Sequence, residues 1–167
     1  MNEEEVSAAP MPIMIRADEG PVLNAFGDTI QVKLSGEQTQ NSLAVVLDTT
    51  PPGGGPPPHI HHKEDELFLI LKGSYRFLAN GQWSEVVGPG TVVYVPRGAH
   101  HTFQNVGEEP CQHWVITTPS GFEQFFAKCA AVFAQPGPPD MPRILSICEE
   151  HSLEFVPPLG GPPPEPA

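Results

Sequence analysis

Short runs of apolar residues that alternate with polar residues dominate the chain between residues 13 and 118. Runs of this kind, bounded by Gly, Pro, Asn and Asp, are typical of β-strands separated by turns. The pattern predicts strands at residues 29–34, 43–48, 66–71, 75–79, 82–87, 91–95 and 111–117. Asn80 and Gly81 lie between two of these strands, and this dipeptide suits the two positive φ angles of a type I′ hairpin turn. The sequence therefore predicts an all-β sandwich or barrel.

The spacing of the apolar residues changes at Ser120, where a helical pattern begins. An amphipathic helix ending near residue 134 is predicted from three- and four-residue steps between Phe122, Phe125, Phe126, Cys129, Val132 and Phe133. Ser120 and Glu123 have the spacing of a capping box. A second, shorter helix is predicted after a linker at residues 136–142, from Ile144, Leu145, Ile147 and Cys148. We expect both helices to pack on the outside of the barrel.

Proline and glycine are concentrated in a few short stretches of the chain. Among 167 residues there are 22 Pro and 16 Gly, and most of the prolines fall at residues 51–58, 136–142 and 157–166. The remaining sequence is long enough for one domain with its own core. We predict a single domain at residues 13–155, with a barrel at 13–118 and a helical part at 120–151. A disordered acidic tail at 1–12 and a Pro-rich tail at 156–167 are predicted to flank it.

The charge of the chain restricts its partners. The formal net charge is −12, from 20 acidic and 8 basic residues, and the basic residues form no patch. Nucleic acids and anionic membranes are bound through such patches, so a small molecule is the expected partner. The acidic N-terminus and the absence of a long apolar run predict a cytoplasmic protein. Cys111, Cys129 and Cys148 form no CxxC pair, which favours reduced, buried cysteines.

Histidine is the residue type that carries candidate chemistry. Six of the seven histidines fall at residues 59–62, 100–101 and 113. On a strand, His59 and His61 point to the same face with Cβ atoms roughly 6–7 Å apart, so both imidazoles can converge on one ion. Glu66 is five positions after His61, an odd step that would place it on the opposite face of a regular strand. The polar residues 62–65 permit a turn or bulge that brings it back to the face of the histidines. Imidazole suits Zn, Cu, Fe or Ni, and a set of three His and one carboxylate leaves one or two coordination positions open.

The spacing of these residues resembles the two signatures of the cupin superfamily. The first signature is matched by Gly53, His59, His61, Glu66 and Gly73, and the second by Gly90, Pro96, Gly98, His101 and Asn105. The resemblance implies a double-stranded β-helix, or jelly-roll barrel, followed by one or two α-helices. It also implies that His59, His61, Glu66 and His101 bind one divalent metal ion, which could be Ni, Fe, Mn, Co, Cu or Zn.

Residues 20–135 resemble more specifically the bacterial single-domain cupins grouped with quercetin 2,3-dioxygenases. The similarity is carried by residues 34–37, 51–59, 95–98 and 119–126. It implies a homodimeric, metal-dependent dioxygenase that uses O₂ on a small aromatic or enolic, flavonol-like substrate, with Glu66 as both metal ligand and proton acceptor. Two other functions stay open, namely a non-catalytic small-molecule or metal-binding cupin and an isomerase or lyase on the same scaffold.

A substrate pocket is predicted beside the ligands, because a small barrel either fills its centre or encloses one cavity. Its candidate residues are Phe68, Ile70, Tyr94, Phe103, His113 and Trp114. Ordinary core packing is the alternative for each of them. We expect structural roles for His62, His100 and His113, although His113 lies on a strand that could line the same cavity. We expect His151 at the surface.

Overall fold

Two antiparallel sheets and two helices make up the fold in the computed structural model, which describes residues 11–157. The six-stranded sheet has the order β1 (Val22–Ala25), β2 (Asp28–Leu34), β3 (Ala44–Thr50), β10 (Cys111–Thr118), β5 (Asp65–Lys72) and β8 (Val92–Val95). The five-stranded sheet has the order β11 (Leu153–Phe155), β4 (His59–His61), β9 (His101–Asn105), β6 (Tyr75–Ala79) and β7 (Gln82–Trp83). The helices are α1 (Phe122–Phe133) and α2 (Met141–Glu150). Most of the two predicted tails, at residues 1–10 and 158–167, lies outside the described residues.

The core lies between the inner faces of the two sheets. Strand β3 shows why, because its residues are alternately buried and partly exposed along their whole length. Strand β5 alternates in the same way, so Glu66, Phe68 and Ile70 share the inner face, as predicted. The alternation of side chains on a strand thus confirms the predicted all-β barrel.

The hairpin predicted at Asn80-Gly81 is confirmed. Asn80 and Gly81 have φ angles of 48° and 87°, and Ala79 pairs directly with Gln82. The following strand is shorter than predicted, because β7 ends at Trp83. The Ser84 hydroxyl accepts a hydrogen bond from the backbone N–H of Phe77 and donates one to the carbonyl oxygen of Glu85. This side chain replaces a regular ladder contact and ends the strand.

The predicted capping box at the start of α1 is wrong. Gly121, not Ser120, is the N-cap residue, and its φ of 127° is readily adopted only by glycine. The Glu123 carboxylate accepts hydrogen bonds from the backbone N–H groups of Gly121 (2.8 Å) and Gly36 (2.9 Å). Glu123 therefore connects the start of α1 to the loop after β2, and in the described part of the chain Ser120 makes no capping hydrogen bond with its side chain.

The second helix begins earlier than predicted, inside the proposed linker. Asp140 caps α2 by accepting a hydrogen bond from the backbone N–H of Arg143 at 3.1 Å, and Pro142 lies in the first turn. Both features are common at helix starts, since the first N–H groups have no partner within the helix. No helix among the described residues is long and apolar enough to cross a membrane.

The barrel does not end at residue 118. After α2 the chain forms β11, which pairs antiparallel with β4. Helix α1 also differs from the prediction, because it packs against β1 and turns Phe122 toward His61, with ring centres 4.4 Å apart. The helical part therefore covers one end of the barrel next to the histidine cluster, where an outer position was expected.

Candidate metal centre

The four predicted metal ligands come from three strands in two sheets. His59 and His61 lie on β4, and His101 begins β9, where it pairs with His59. Glu66 lies on β5 of the opposite sheet, because the chain crosses between the sheets after His61. The four side chains are buried, and their ligand atoms all lie within 4.8 Å of one another. The fold thus brings together the whole predicted ligand set.

Hydrogen bonds to the backbone orient two of the imidazoles. The Nδ1 atom of His59 lies 2.8 Å from the carbonyl oxygen of Pro57, and that of His101 lies 3.1 Å from the carbonyl oxygen of Ala99. These contacts leave Nε2 of each ring for the interior of the cluster. Such partners fix the tautomer and the ring direction of metal-ligating histidines.

The Glu66 carboxylate lies close to two of the imidazoles in the cluster. Its Oε2 atom lies 2.9 Å from Nε2 of His101 and 3.5 Å from Nε2 of His61. Neither ring nitrogen of His61 has a hydrogen-bond partner among the described residues, although the Glu64 carboxylate lies 3.5 Å from its Nδ1. Buried polar atoms are rarely left unpaired, so the orphaned imidazole and the donor set both fit a divalent cation.

The electrostatics of the cluster favour metal binding. Burial acts to raise the pKa of Glu66, but the imidazoles of His61, His101 and His59 outweigh it and lower the pKa to about 2. Burial and the two neighbouring imidazoles hold the pKa of His59 well below its usual value. The pKa of His101 is raised, because its interaction with Glu66 exceeds the opposing effect of burial. The site therefore offers an ionised carboxylate and a neutral His59 at neutral pH.

An apolar cavity adjoins the cluster. The space open to the centres of water molecules has a volume of about 40 Å³, so the cavity has room for only a few waters. Its wall includes the candidate ligands His59 and Glu66 and the rings of Phe68, Phe103, Phe122, Phe125 and Phe126. The cavity suits a compact ligand with an apolar body.

Two of the six predicted pocket residues line the cavity, and the structure places the other four elsewhere. Phe68 and Phe103 line the cavity. Ile70 and His113 are fully buried behind this wall, and the His113 ring lies 4.8 Å from the ring of Phe103. Tyr94 is 59% exposed on the edge strand β8. Trp114 lies at an outward-facing, partly exposed position of β10, so neither Tyr94 nor Trp114 belongs to the cavity wall.

The other histidines differ in their surroundings. His62 is half exposed and its Nε2 lies 2.9 Å from the Glu154 carboxylate. His100 is buried, with neither ring nitrogen hydrogen-bonded within the described residues. His151 is partly exposed, and its ring packs against the ring of Phe125, with 6.0 Å between the ring centres.

Several residues of the cavity wall were not anticipated from the sequence. Asp28 and Asp48 line it from β2 and β3, and Phe122 and Phe125 line it from α1. The sequence carries a signal for Asp48, because its position follows the alternation of Ala44 and Val46 onto the inner face. No local signal identifies the phenylalanines, since helical spacing shows which face is apolar but not what that face contacts.

The comparisons with known proteins agree with this geometry. Residues 46–117 match the family model of the cupin domain. No curated protein matches the chain. KdgF from Halomonas sp. is similar in structure, with a TM-score of 0.60 and 15% identity over 68% of this chain and 99% of that chain. A predicted oxalate decarboxylase from Thermotoga maritima has a TM-score of 0.58 and 23% identity over 64% and 99%.

A third similar structure is the polyketide cyclase RemF from Streptomyces resistomycificus. Its TM-score is 0.56 and its identity is 23%, over 66% of this chain and 81% of that chain. At these identities the likeness concerns the fold alone. The family match contains all four residues of the histidine and glutamate cluster. The chain therefore has the cupin fold, with a buried cluster that can hold a metal ion.

Proposed function

We propose that the protein is a metal-dependent dioxygenase that acts on a small aromatic or enolic compound. The observation that carries the proposal is the convergence of four buried ligand atoms within 4.8 Å of one another beside an apolar cavity. Three imidazoles and one carboxylate leave one or two positions of a five- or six-coordinate shell open. Open positions are typical of catalytic sites, whereas structural sites are closed by protein ligands.

His59, His61, Glu66 and His101 would hold the metal. A bound divalent transition metal supplies Lewis-acid polarisation of a substrate oxygen and an ion that can take part in O₂ chemistry. The chain supplies a negative charge at Glu66 and ring orientation through the backbone contacts of His59 and His101. These contacts hold the two imidazoles in position before a metal ion or a substrate binds.

Glu66 is the residue that we propose as proton acceptor. Its carboxylate lies on the cavity wall, beside the position of an entering enolic or phenolic hydroxyl. Because a pKa of about 2 makes it a weak base, it would take the proton only from a hydroxyl whose own pKa is lowered by coordination to the metal ion. The Nε2 atom of His101, 2.9 Å from Oε2 of Glu66, holds the carboxylate in position. Acceptance of the proton leaves an anionic substrate oxygen in a cavity whose aromatic walls exclude water.

The size of the cavity supports a compact substrate. Space for only a few water molecules favours a single-ring enol over the three rings of a flavonol. The rings of Phe68, Phe103 and Phe122 surround this space and present flat apolar surfaces. Among the substrates implied by the family resemblance, the small enolic compounds are therefore the ones that this chain would take.

The homodimer is also a proposal, and the outer face of the six-stranded sheet is the surface that suits it. Partly exposed apolar residues cover its centre, including Leu47, Leu69 and Trp114, and Tyr94 lies beside them. Two copies that each carry a net charge of −12 repel one another, and burial of this apolar surface would offset the repulsion. The mass in solution, measured by light scattering, should be that of a dimer, and a monomer would contradict the proposal.

Oxygen consumption by metal-loaded protein tests the enzymatic function. We expect O₂ uptake with one or more members of a panel of small enols and flavonols, with loss of uptake in His61→Ala. His62→Ala is the matched control and should keep its activity, because His62 faces Glu154 at the surface. Ligand binding without turnover for every metal would favour a non-catalytic cupin, and turnover without O₂ uptake would favour an isomerase or lyase.

A further inference from the structure

A second group of polar side chains lines the cavity, apart from the metal ligands. Asp28 on β2 and Asp48 on β3 both belong to the cavity wall, with 6% and 4% of their surfaces exposed. The proposed function gives neither of them a role. We call these two residues the Asp28–Asp48 patch.

Part of the hydrogen-bonding capacity of this patch is unused. Within residues 11–157, Oδ1 of Asp28 and Oδ1 of Asp48 have no hydrogen-bond partner. Burial raises the pKa of each acid and outweighs the hydrogen bonding from the Thr50 side chain to Asp28 and from the Thr49 backbone to Asp48, which acts to lower it. Buried polar atoms are nearly always paired, and those that are not need a ligand or an ordered water to satisfy them. Two carboxylates that line a cavity with free acceptor atoms are therefore equipped to bind a hydrogen-bond donor.

The strand register shows where the patch lies relative to the metal ligands. Across the six-stranded sheet, Glu66 is in the inward row that contains Thr117 and Ala44. The next inward row is apolar and consists of Val46, Val115 and Phe68. The row after that contains Asp48, which pairs with Ile30 of β2 and with His113 of β10. One apolar row thus separates the metal ligand Glu66 from Asp48.

The residues behind the patch hold Asp48 in a low-dielectric environment. The Nε2 atom of His113 lies 3.6 Å from Oδ2 of Asp48, and its Nδ1 lies 2.8 Å from the hydroxyl oxygen of Tyr75. Burial lowers the pKa of His113 to about 4, so this ring is neutral and does not neutralise Asp48. Burial raises the pKa of Asp28 to about 7, and burial together with the charge of Asp28 raises that of Asp48 well above its usual value. Burial therefore favours the protonated form of both acids, and a protonated carboxyl group can donate as well as accept a hydrogen bond.

We propose that the Asp28–Asp48 patch is a second recognition site in the cavity, which binds a hydroxyl or amine substituent at the end of the ligand remote from the metal ligands. The preferred ligand is then a small compound with an oxygen at one end, an apolar or aromatic body beside Phe68 and Val115, and a hydrogen-bond donor at the other end. Asp28 and Asp48 determine specificity and take no part in bond making. This proposal rests on the proposed function in one respect, since it requires that the ligand enters the cavity next to the metal ligands.

A purely structural role for the patch makes the opposite prediction about stability. The inner face already accepts apolar residues at Ile30 and Val46, which neighbour the two acids on their own strands. Leucine has the same number and branching of side-chain heavy atoms as aspartate, and its larger methyl groups can extend into the adjoining cavity and need no partner. Asp48→Leu and Asp28→Leu should therefore raise the thermal midpoint of the protein. Lower midpoints for both variants would overturn the proposal, because the acids would then be needed for folding.

Two pyranones that differ by one hydroxyl group test ligand recognition directly. Kojic acid and allomaltol present the same enolic oxygen pair, but kojic acid carries a hydroxymethyl group where allomaltol has a methyl group. Calorimetric titration of the metal-loaded protein should show about tenfold tighter binding of kojic acid, the effect of one hydrogen bond to an acidic group. In Asp48→Leu and Asp28→Leu the preference should fall to about twofold or less, while the affinity for allomaltol stays the same. Thr49→Val, on the outer face of β3, is the matched control and should keep the preference.

The outcomes separate the two proposals. Equal binding of the two pyranones by the unmodified protein, or a preference that survives both leucine variants, overturns the second recognition site and leaves the metal site in place. Failure of either pyranone to bind in a metal-dependent way overturns both proposals. A preference that disappears only in the leucine variants supports the patch as the donor-binding end of the cavity.

Discussion

The Nε2 atom of His101 lies 2.9 Å from Oε2 of Glu66, although the two residues are 35 positions apart and belong to different sheets. The contact spans the interior of the barrel from β9 to β5. A carboxylate from one sheet thus meets imidazoles from the other, which is possible only where the two sheets approach closely. The candidate metal site is therefore a product of the fold as a whole and not of one loop.

Metal binding should depend on pH through His101 and not through Glu66. The pKa of Glu66 is lowered to about 2, so its carboxylate stays ionised throughout the accessible range. The pKa of His101 is raised, so as the pH falls through that value a proton occupies the nitrogen that would bind the metal. We expect metal to be lost as the pH falls toward and below about 6.

Equilibrium dialysis across this range, followed by elemental analysis, measures the loss. Circular dichroism on the same samples serves as the control for unfolding, and return to neutral pH with added metal should restore the content. Full retention of metal at about pH 4 would contradict the assignment of His101 as a ligand.

Glu123 should be important for stability although it does not line the cavity. Its carboxylate satisfies the backbone N–H groups of Gly36 and Gly121, and Glu123→Ala leaves both without that partner. We expect the free energy of unfolding to fall by about 2–4 kcal/mol. Gln124→Ala, at the next and exposed position of α1, should change it by less than about 0.5 kcal/mol. Urea denaturation measures the free energy of unfolding of both variants. Similar values for the two would show that the hydrogen bonds of Glu123 do not stabilise the fold.

Alanine substitutions at Gly73 and Gly90 separate the cost of a steric clash from the cost of backbone strain. The two residues have φ angles of 90° and 87°, so alanine is strained by a similar amount at either position, about 1–2 kcal/mol. A Cβ atom at Gly73 would clash with the Sγ atom of Cys111, whereas nothing lies within 4 Å of a Cβ atom at Gly90. Gly73→Ala should therefore cost about 1–3 kcal/mol more than Gly90→Ala in the free energy of unfolding. Equal losses would contradict the close approach of Gly73 to β10.

Much of the barrel could be predicted from the sequence, because its strands carry local signals. Strands β3 and β10 alternate strictly, and the Asn80-Gly81 turn sets the register of its own hairpin. The three-residue strand β11 could not be predicted, since Leu153, Glu154 and Phe155 are too few to show a period. It exists because β4 offers an open edge to which the chain returns.

The candidate site was predictable to a different degree in its two parts. The spacing of His59, His61, Glu66 and His101 predicted the candidate ligand set, which the fold then gathers into one cluster. The cavity wall depends on long-range packing, so the position of Phe122 beside His61 had no local signal. Tyr94 was a candidate for the pocket, but it pairs with Leu67 in an outward-facing row of the six-stranded sheet, so its side chain points away from the cavity.

The metal content of two histidine variants tests the central claim most directly. Elemental analysis of purified protein should find about one divalent metal ion per chain, and His61→Ala should lose most of it, because His61 lies within the ligand cluster. His62→Ala should retain the metal, since its ring contacts Glu154 at the surface. Equal losses from the two variants, or a metal-free protein after loading with each candidate ion, would contradict the account.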